Sequence, residues 1–355
     1  MTLNLTRRHR RMSSMAGSWL FRILIAFLIL PGGGLCAAEP VLLKEIERPD
    51  SLHVDRTRLY VTQGPEIFVY GLEGFRPETR FGKRGEGPGE FKISPNEALH
   101  INVQSERILV DSFGRISLFT KAGRFLEEHK TPYPVPTYIK PAGDLYVAMG
   151  YTDIDRGKNR RRLSIDILDS RFQKVREISH AWDHYTRRIR GVYDFKTHGH
   201  LILVSYEEGE FRLDGFDPRG KAVLSITRPD FERRLVSDAD RREVFDRLRR
   251  AFQRDYSDDY LAKRVGFNTH WPAISDFFVD ESGVTVVNGN RTPGTLLLFL
   301  FDLSGRFVGE TTLARRGETT LYTAAAGRFY RLFEDEDREA WFVEVTPLPP
   351  APLAP

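Results

Sequence analysis

Five short segments with a turn signal recur along this chain at nearly constant spacing. They read YGLEGFRPE, FTKAGRFLE, LDSRFQKVR, FDPRGKAVL and FDLSGRFVG, and they begin at Tyr70, Phe119, Leu168, Phe216 and Phe301. Their starts lie 49, 49, 48 and 85 residues apart. Repetition at such a period predicts a fold assembled from similar structural units.

Glycine occupies the fifth place in four of the five segments. These glycines are Gly74, Gly123, Gly220 and Gly305. A tight hairpin turn often requires a positive φ, which glycine adopts without strain. In the third segment Phe172 stands at this place, which predicts a different turn there.

Apolar runs of strand length precede each turn and complete the repeating unit. In the second copy these runs are ALHIN, RILVD and ISLFT, and their β-branched and aromatic residues are typical of strands. Three such strands, with the strand that follows the turn, make one four-stranded blade of a β-propeller. The chain end adds YTAAAG, RFYRLFED and AWFVEV, three strands of a sixth blade. Val41–Ile46 is expected to supply its outer strand and close the ring.

The fourth and fifth turns are separated by 36 or 37 residues more than the others. This excess predicts an insertion between blades four and five, over residues 229–272. Ser237 and Asp240 form a capping box, and Val244, Phe245 and Leu248 follow at helical spacing. The insertion is therefore expected to be helical, either docked on the neighbouring blades or acting as a lid at the channel mouth. The fold class predicted is all-β, a six-bladed propeller with one helical insertion.

Residues 81–128 resemble the secreted six-bladed propellers of the NHL-repeat type. The stretch begins FGKRGEGPGEF, a glycine-rich turn, and continues through an inner strand to FTKAGRFLEE; residues 274–310 match less closely. The resemblance implies a propeller fold and an exported binding or scaffolding role, and it supplies no catalytic residues. Nucleotide binding is not expected, because a strand follows these glycines where a P-loop has Gly-Lys-Ser/Thr and a helix.

The N-terminal segment has the pattern of a secretory signal peptide. TRRHRRM is followed by the apolar run Ile23–Leu30 and by PGGGLCAAEP, whereas a membrane span needs about 20 apolar residues. We expect cleavage after Ala38 and export to the periplasm or the exterior, with a lipid on Cys36 or an uncleaved anchor as alternatives. The predicted organisation is a signal peptide over 1–38, a propeller over 39–346 and a proline-rich tail over 347–355.

Cleavage would change the charge of the protein. The segment removed holds five arginines and no acidic residue, which leaves 48 basic against 49 acidic residues. Nucleic-acid binding is therefore not expected, despite a sequence pI of about 9.1. The only cysteine, Cys36, would leave as well, so no disulfide could stabilise the mature protein. We expect a monomer without stable membrane insertion.

Enlarged connections mark one face of the predicted ring. In a propeller the inter-blade connections and the loops between second and third strands share a face. The longest of these are Gly150–Arg162, Ser179–Gly191 and the insertion, and loops on a rigid scaffold commonly carry function. Trp271, beside His270, suits either a ligand-facing wall or blade packing. The candidate binding residues on this face and at the channel mouth are Arg84, Tyr138, Asp194, His270, Trp271 and Asp276.

Other polar residues are assigned structural roles. His53 and His100 occupy similar places in LHVD and LHIN, which indicates core or inter-blade hydrogen bonding. DIDRGKN, with Asp153 and Asp155, lacks the glutamate that closes an EF-hand, so Ca²⁺ there is an alternative to a solvated loop. No cofactor is expected, and neither is zinc at the four histidines that cluster in sequence. Those histidines are His180, His184, His198 and His200.

These observations favour a non-enzymatic, exported propeller that binds a ligand or a protein partner on its loop-rich face. No catalytic motif stands out in the sequence. The alternative is a metal-dependent hydrolase or lyase in the central channel, which would need carboxylate, Asn or His side chains converging from several inner strands. A structural component of an envelope assembly is a third hypothesis.

Overall fold

Six antiparallel sheets of four strands each make up most of the described part of the chain. The computed structural model describes residues 39–93, 98–112, 114–131, 133, 138–158, 160–184, 187–189, 193–206, 210–289, 292, 294–317 and 320–349. The predicted signal peptide lies outside these residues, as does most of the proline-rich tail.

The first three blades are meanders of consecutive strands. Blade one contains β2 (Ser51–Val54), β3 (Arg58–Gln63), β4 (Glu66–Gly71) and β5 (Pro77–Phe81). Blade two contains β6 (His100–Val103), β7 (Arg107–Ser112), β8 (Arg115–Thr120) and β9 (Phe125–Lys130). Blade three contains β10 (Tyr138–Ala142), β11 (Leu145–Asp155), β12 (Arg160–Leu168) and β13 (Lys174–His184).

Blades four and five follow the same strand order. Blade four contains β15 (Phe195–His198), β16 (Leu201–Ser205), β17 (Arg212–Phe216) and β18 (Ala222–Thr227). Blade five contains β20 (Asp276–Asp280), β21 (Gly283–Asn288), β22 (Thr295–Phe301) and β23 (Phe307–Ala314). A separate parallel pair joins β14 (Arg187–Ile189) to β19 (Gly266–Phe267).

Blade six closes the ring by joining the two ends of the propeller. It contains β24 (Thr320–Ala325), β25 (Arg328–Asp335), β26 (Ala340–Pro347) and, as its outer strand, β1 (Val41–Leu42). Val41 pairs with Val343, and the Leu43 amide donates to the Trp341 carbonyl at 2.9 Å. The prediction that this N-terminal segment completes the last blade is confirmed.

Apolar clusters between adjacent blades make up the core. One cluster joins Val343 of blade six to Leu59 and Val61 of blade one. The first strand of each blade is innermost, and these six strands contact one another in ring order around a central channel. Each blade therefore buries its apolar faces against its neighbours.

The glycine-rich crossing is a packing joint between blades one and two. It places Phe91, which is fully buried, 5.6 Å from the Phe119 ring centroid. Gly82 has φ +92°, and a Cβ there would lie 2.5 Å from the Pro65 carbonyl oxygen, so only glycine fits. This crossing therefore packs blade one against blade two.

Phe172 corrects the prediction of a different turn in the third copy. Its amide donates to the Asp169 carbonyl at 3.0 Å, as the Gly220 amide donates to Asp217. Its φ is +61°, a conformation that bulky residues rarely adopt. The side chain is 1% exposed and packs 4.4 Å from the Tyr146 ring. Burial of the ring offsets the backbone strain, so the same turn forms without glycine.

Blade three is longer than the sequence predicted. The segment Gly150–Arg162 was expected to be a loop, but β11 and β12 remain paired as far as Asp155 and Arg160. The adjacent β13 runs on to His184, within the predicted connection Ser179–Gly191. Polar residues on both faces of this hairpin hide the period-two pattern from which a half-buried strand is usually recognised.

Two helices lie between β18 and β19. They are α1 (Asp238–Phe252) and α2 (Asp258–Arg264). At the start of α1 the Ser237 hydroxyl accepts from the Asp240 amide, and the Asp240 carboxylate accepts from the Ser237 amide. Among the described residues, no helix is both long and apolar enough to cross a membrane.

Candidate functional site

The central channel has a different cavity at each end. A cavity of about 230 Å³ is lined by the beginnings of four inner strands and the residues just before them. Another, of about 840 Å³, is lined by the hairpins at which inner strands end. The inner strands therefore all point the same way along the channel. We call the smaller cavity the mouth cavity, and the polar side chains that line it are Asp50, Ser51, His53, His100, Tyr138, Lys140, Asp194 and Lys196.

Lys196 on β15 is held between two carboxylates. Its Nζ lies 2.6 Å from Oδ2 of Asp194 and 3.4 Å from Oδ1 of Asp276 on the next blade. The side chains are 18%, 16% and 30% exposed, respectively. This triad therefore links blades four and five across the channel wall, with two carboxyl groups around one ammonium group.

Burial and the neighbouring charges act in opposite directions on this triad. Burial disfavours the ammonium, yet Asp194 and Asp276 raise the pKa of Lys196 above its ordinary value. Burial would raise the pKa of Asp194, but Lys196 and Lys140 hold it below its usual range. Burial, together with the charge of Asp194, raises the pKa of Asp276. Lys196 is therefore protonated at neutral pH.

Lys140 on β10 also lines the mouth cavity, but it has no counter-ion. No salt bridge or hydrogen bond joins its side chain to another residue in the part of the chain that the structure describes. Burial in the channel and the charge of Lys196 lower the pKa of Lys140 to about 8. A mostly protonated, unpaired ammonium group thus faces the cavity at neutral pH.

Two histidines complete the cavity wall. His53 Nε2 lies 3.0 Å from the Ser51 hydroxyl. Burial, with Lys140 and Lys196, lowers the pKa of His53 to about 3, so its ring is neutral at physiological pH. The His100 ring lies 4.0 Å from the Tyr138 ring, in a contact between blades two and three.

His53 and His100 do not occupy the same position in their blades, as the sequence predicted, but positions two residues apart. Ser51 pairs with Thr62 on β3, and His100 pairs with Asp111 at the matching place on β7. His53 therefore corresponds to Asn102. The two-residue offset preserves the strand face, so both histidines still face the channel.

The cation position within the triad is occupied by a protein group. The Lys196 ammonium sits between Asp194 and Asp276, where a divalent cation bridging the carboxylates would lie. Across the described residues, no group of three His, Cys, Asp or Glu side chains is placed to hold a metal ion. Asp155, in the calcium-loop candidate, instead accepts from Arg160 Nε at 3.2 Å. These contacts do not favour a metal-dependent hydrolase or lyase in the central channel.

Two of the six predicted site residues line the mouth cavity, and a third contacts a residue that lines it. Tyr138 and Asp194 line it, and Asp276 contacts Lys196. Arg84 lies on the glycine-rich crossing, where its backbone pairs with Phe91. Sequence reasoning missed Lys140 and Lys196. The available signal was their spacing of two residues from Tyr138 and Asp194, which places each pair on one strand face.

His270 and Trp271 lie at the end of the insertion and contact its earlier residues. The backbone of His270 pairs with Leu235, and Trp271 packs against the cluster of Val236 and Val244. The Trp271 Nε1 donates to Asp240 Oδ2 at 3.1 Å, and the Arg234 guanidinium lies 5.1 Å from its ring centroid. The sequence left open whether Trp271 faces a ligand or packs against the protein. These contacts are packing contacts.

Replacing Asp240 with Asn is expected to loosen the start of α1. Asp240 accepts from Ser237, Arg234 and Trp271, and loss of a helix-capping interaction costs about 0.5–2 kcal/mol. Burial opposes ionisation, but these bonds lower the pKa of Asp240 to about 2. Its stabilisation is therefore present above the ordinary pKa of 3.8 and lost as the pH falls towards 2. Hydrogen exchange of residues 237–253 measures the effect, and unchanged protection would contradict it.

The topology defines a six-bladed β-propeller with a polar cavity at one mouth of its channel. No family model matches the chain, and no curated protein matches it. Similar solved structures include a DUF4221 family member from Bacteroides vulgatus, with a TM-score of 0.49, 12% identity, and coverage of 88% of this chain and 97% of that one. The WD40 domain of Pan2 from Neurospora crassa has a TM-score of 0.44, 7% identity, and coverage of 85% and 90%. Likenesses this distant do not bear on function.

Proposed function

We propose that this protein is a non-catalytic binding propeller whose ligand occupies the mouth cavity. The observation that carries the proposal is the convergence of polar side chains from four blades on one small cavity. A concave site with a few converging polar groups is the usual form of a small-molecule site. The rigid ring holds these groups in place before the ligand arrives.

Binding accounts for the site better than catalysis. Asp194 and Asp276 are already engaged by Lys196, so neither is available as a metal ligand or base without breaking the triad. The Ser51–His53 contact joins a hydroxyl to an imidazole whose pKa is far below neutral. General bases act best with a pKa near the working pH, which makes His53 a poor one.

Export and membership of the NHL-repeat type are further parts of this proposal. Export is supported by the basic and apolar pattern that ends at Ala38, and the family type by the GEGPGEF turn within residues 81–128. A ligand-binding propeller without cysteine after processing suits an oxidising compartment, because it has no thiol to protect.

Native mass spectrometry of the protein purified from an exporting host tests the proposal. We expect a chain that begins at Glu39 and carries a small non-covalent adduct. Tyr138→Ala should lose the adduct, because Tyr138 lines the cavity. Arg56→Ala, which changes an exposed residue at the opposite mouth, should retain it.

Three results would go against the proposal. A metal adduct removed by a chelator would favour the metal-dependent enzyme. A co-purifying protein without a small adduct would favour a protein partner on the loop face. A bare mass, with no thermal shift across a library of small molecules, would argue against a ligand in the cavity. A first residue other than Glu39 would contradict the expected cleavage site alone.

A further inference from the structure

The charges that act on Lys140 lie at the first strands of blades four and five. Lys196 repels its ammonium, whereas Asp194 and Asp276 attract it from beyond salt-bridge distance. The remaining titratable groups of the cavity wall are Asp50, His53, His100 and Tyr138. Asp50 accepts from the Gly64 amide at 2.7 Å and is thereby turned to its own blade. The cavity thus contains one cation that no anion of the described protein contacts directly.

We propose that the mouth cavity recognises small organic monocarboxylates, with Lys140 as the group that binds the carboxylate. This inference rests on the proposed function and names its ligand class. Taking an ammonium group out of water is costly unless it is paired, and a carboxylate that contacts Lys140 would remove that cost. Charge-assisted hydrogen bonds of this kind are among the stronger polar contacts in proteins.

The local charge balance selects a single negative charge. One unpaired ammonium matches one carboxylate. The triad of Asp194, Lys196 and Asp276 places two carboxyl groups around one ammonium group close to the same cavity, and carboxylates repel additional negative charge strongly in a partly buried site. A phosphate dianion would therefore bring one charge more than Lys140 can balance.

The other residues of the cavity wall suit a ligand whose remaining part is small and either flat or polar. The rings of His100 and Tyr138 form an aromatic wall, and the Ser51 hydroxyl adds a hydrogen-bonding group. The cavity volume of about 230 Å³ is below the range of roughly 300–1,000 Å³ that is common for drug-sized ligands. These dimensions favour a free small acid over a folded partner's surface.

Isothermal titration calorimetry with benzoate and hexanoate tests the inference. The matched neutral probes are benzamide and hexanamide, which keep the shape and remove the charge. We expect at least one carboxylate to bind and its amide to bind at least ~10-fold more weakly, because a bond to a charged group contributes this much or more. Lys140→Gln should weaken binding of the carboxylate by a similar factor. Lys44→Gln, at an exposed lysine, should not.

Proton uptake gives an independent readout. Lys140 is half protonated near pH 8, and a bound carboxylate would raise its pKa. Titrations at pH 8 in buffers of different ionisation heat should show uptake of up to ~0.5 proton per ligand. The uptake should vanish in Lys140→Gln. Affinity should fall as the pH rises above 8.

Lys140→Gln is expected to fold at least as well as the wild type. The lowered pKa means that the folded chain binds fewer protons than the unfolded chain between about pH 8 and 10.5. At neutral pH the charge therefore lowers stability, and its removal should not reduce the melting temperature. A loss of binding in this variant then reports the missing ammonium.

Several outcomes would overturn the inference. These are equal binding of acid and amide, full binding by Lys140→Gln, absence of proton uptake, or inorganic phosphate binding in place of both carboxylates. No binding by either carboxylate at millimolar concentration would also reject it. If a neutral or cationic adduct co-purifies and is lost in Tyr138→Ala, the proposed function stands and only the carboxylate assignment fails. If there is no adduct and no carboxylate binding, both fail.

Discussion

Replacing Leu43 with Asp should lower the free energy of unfolding by about 3–5 kcal/mol, because it removes a buried side chain and buries a charge. Leu43 is 1% exposed and packs in the cluster that joins blade six to blade one. Closure of the ring depends on the short strand just before it, β1, pairing with β26. We therefore expect the substitution to weaken the whole ring.

Leu42→Asp is the matched control for this prediction. Leu42 is the neighbouring residue in the same segment, and it is 40% exposed. A charge there remains in contact with water, so the expected cost is below ~1 kcal/mol. Chemical denaturation of both variants measures the difference.

Hydrogen exchange shows which strands lose protection in the Leu43→Asp variant. In Leu43→Asp, protection of the β26 amides should fall most, because β26 loses its outer partner. Similar unfolding free energies for the two variants, or unchanged protection of Ala340–Pro347, would show that the N-terminal segment does not hold the ring closed.

Replacing Lys196 with Met should lower the free energy of unfolding at pH 7.5 by about 2–3 kcal/mol. The variant keeps the aliphatic volume but leaves Asp194 and Asp276 without the cation between them. Removing one partner from a fully buried pair costs about 3–5 kcal/mol. The 30% exposure of the Asp276 side chain reduces that cost.

The loss should shrink as the pH is lowered. In the variant, burial and mutual repulsion would raise the pKa of both carboxyl groups, so the folded chain would bind more protons than the unfolded chain below neutral pH. Stability then increases as the pH falls from 7.5 to 5. In the wild type, Lys196 has a raised pKa, so its contribution is complete below its ordinary pKa and is lost only at higher pH.

Lys92→Met is the control for an exposed ion pair. Lys92 Nζ lies 2.8 Å from Glu86, and the two side chains are 57% and 73% exposed. The expected change in the free energy of unfolding is small and independent of pH between 5 and 7.5. A Lys196→Met deficit no larger than that of Lys92→Met, or one that grows on acidification, would refute the role given to the triad.

Local patterns predicted most of the fold. Glycines at fixed spacing marked the turns, and apolar runs marked the strands that they connect. The closing segment could be inferred because blade six lacked a strand and Val41–Ile46 lacked a partner. The predictions were wrong where tertiary packing, and not the local sequence, determined the structure. Buried Phe172 adopts the positive φ that is typical of glycine, and polar residues form the long hairpin of blade three.

The site was predicted only in part, because its members are distant in sequence. Asp194, Asp276 and Tyr138 were found from their positions at inner strands. Trp271 is a residue type that is common in ligand-binding walls, yet its indole nitrogen donates a hydrogen bond to Asp240 of α1. Lys140 and Lys196 look like ordinary surface lysines in the sequence, because the sequence does not show that both side chains face the channel.

The sequence by itself determined the period, the number of blades and the way in which the ring closes. Turn residues and alternation act within a few positions, so their pattern can be read along the chain. Only the tertiary structure decided that Lys196 is neutralised and Lys140 is not. That difference depends on distances of a few ångströms between side chains in the folded channel, and at such distances in a partly buried site charge interactions are strong.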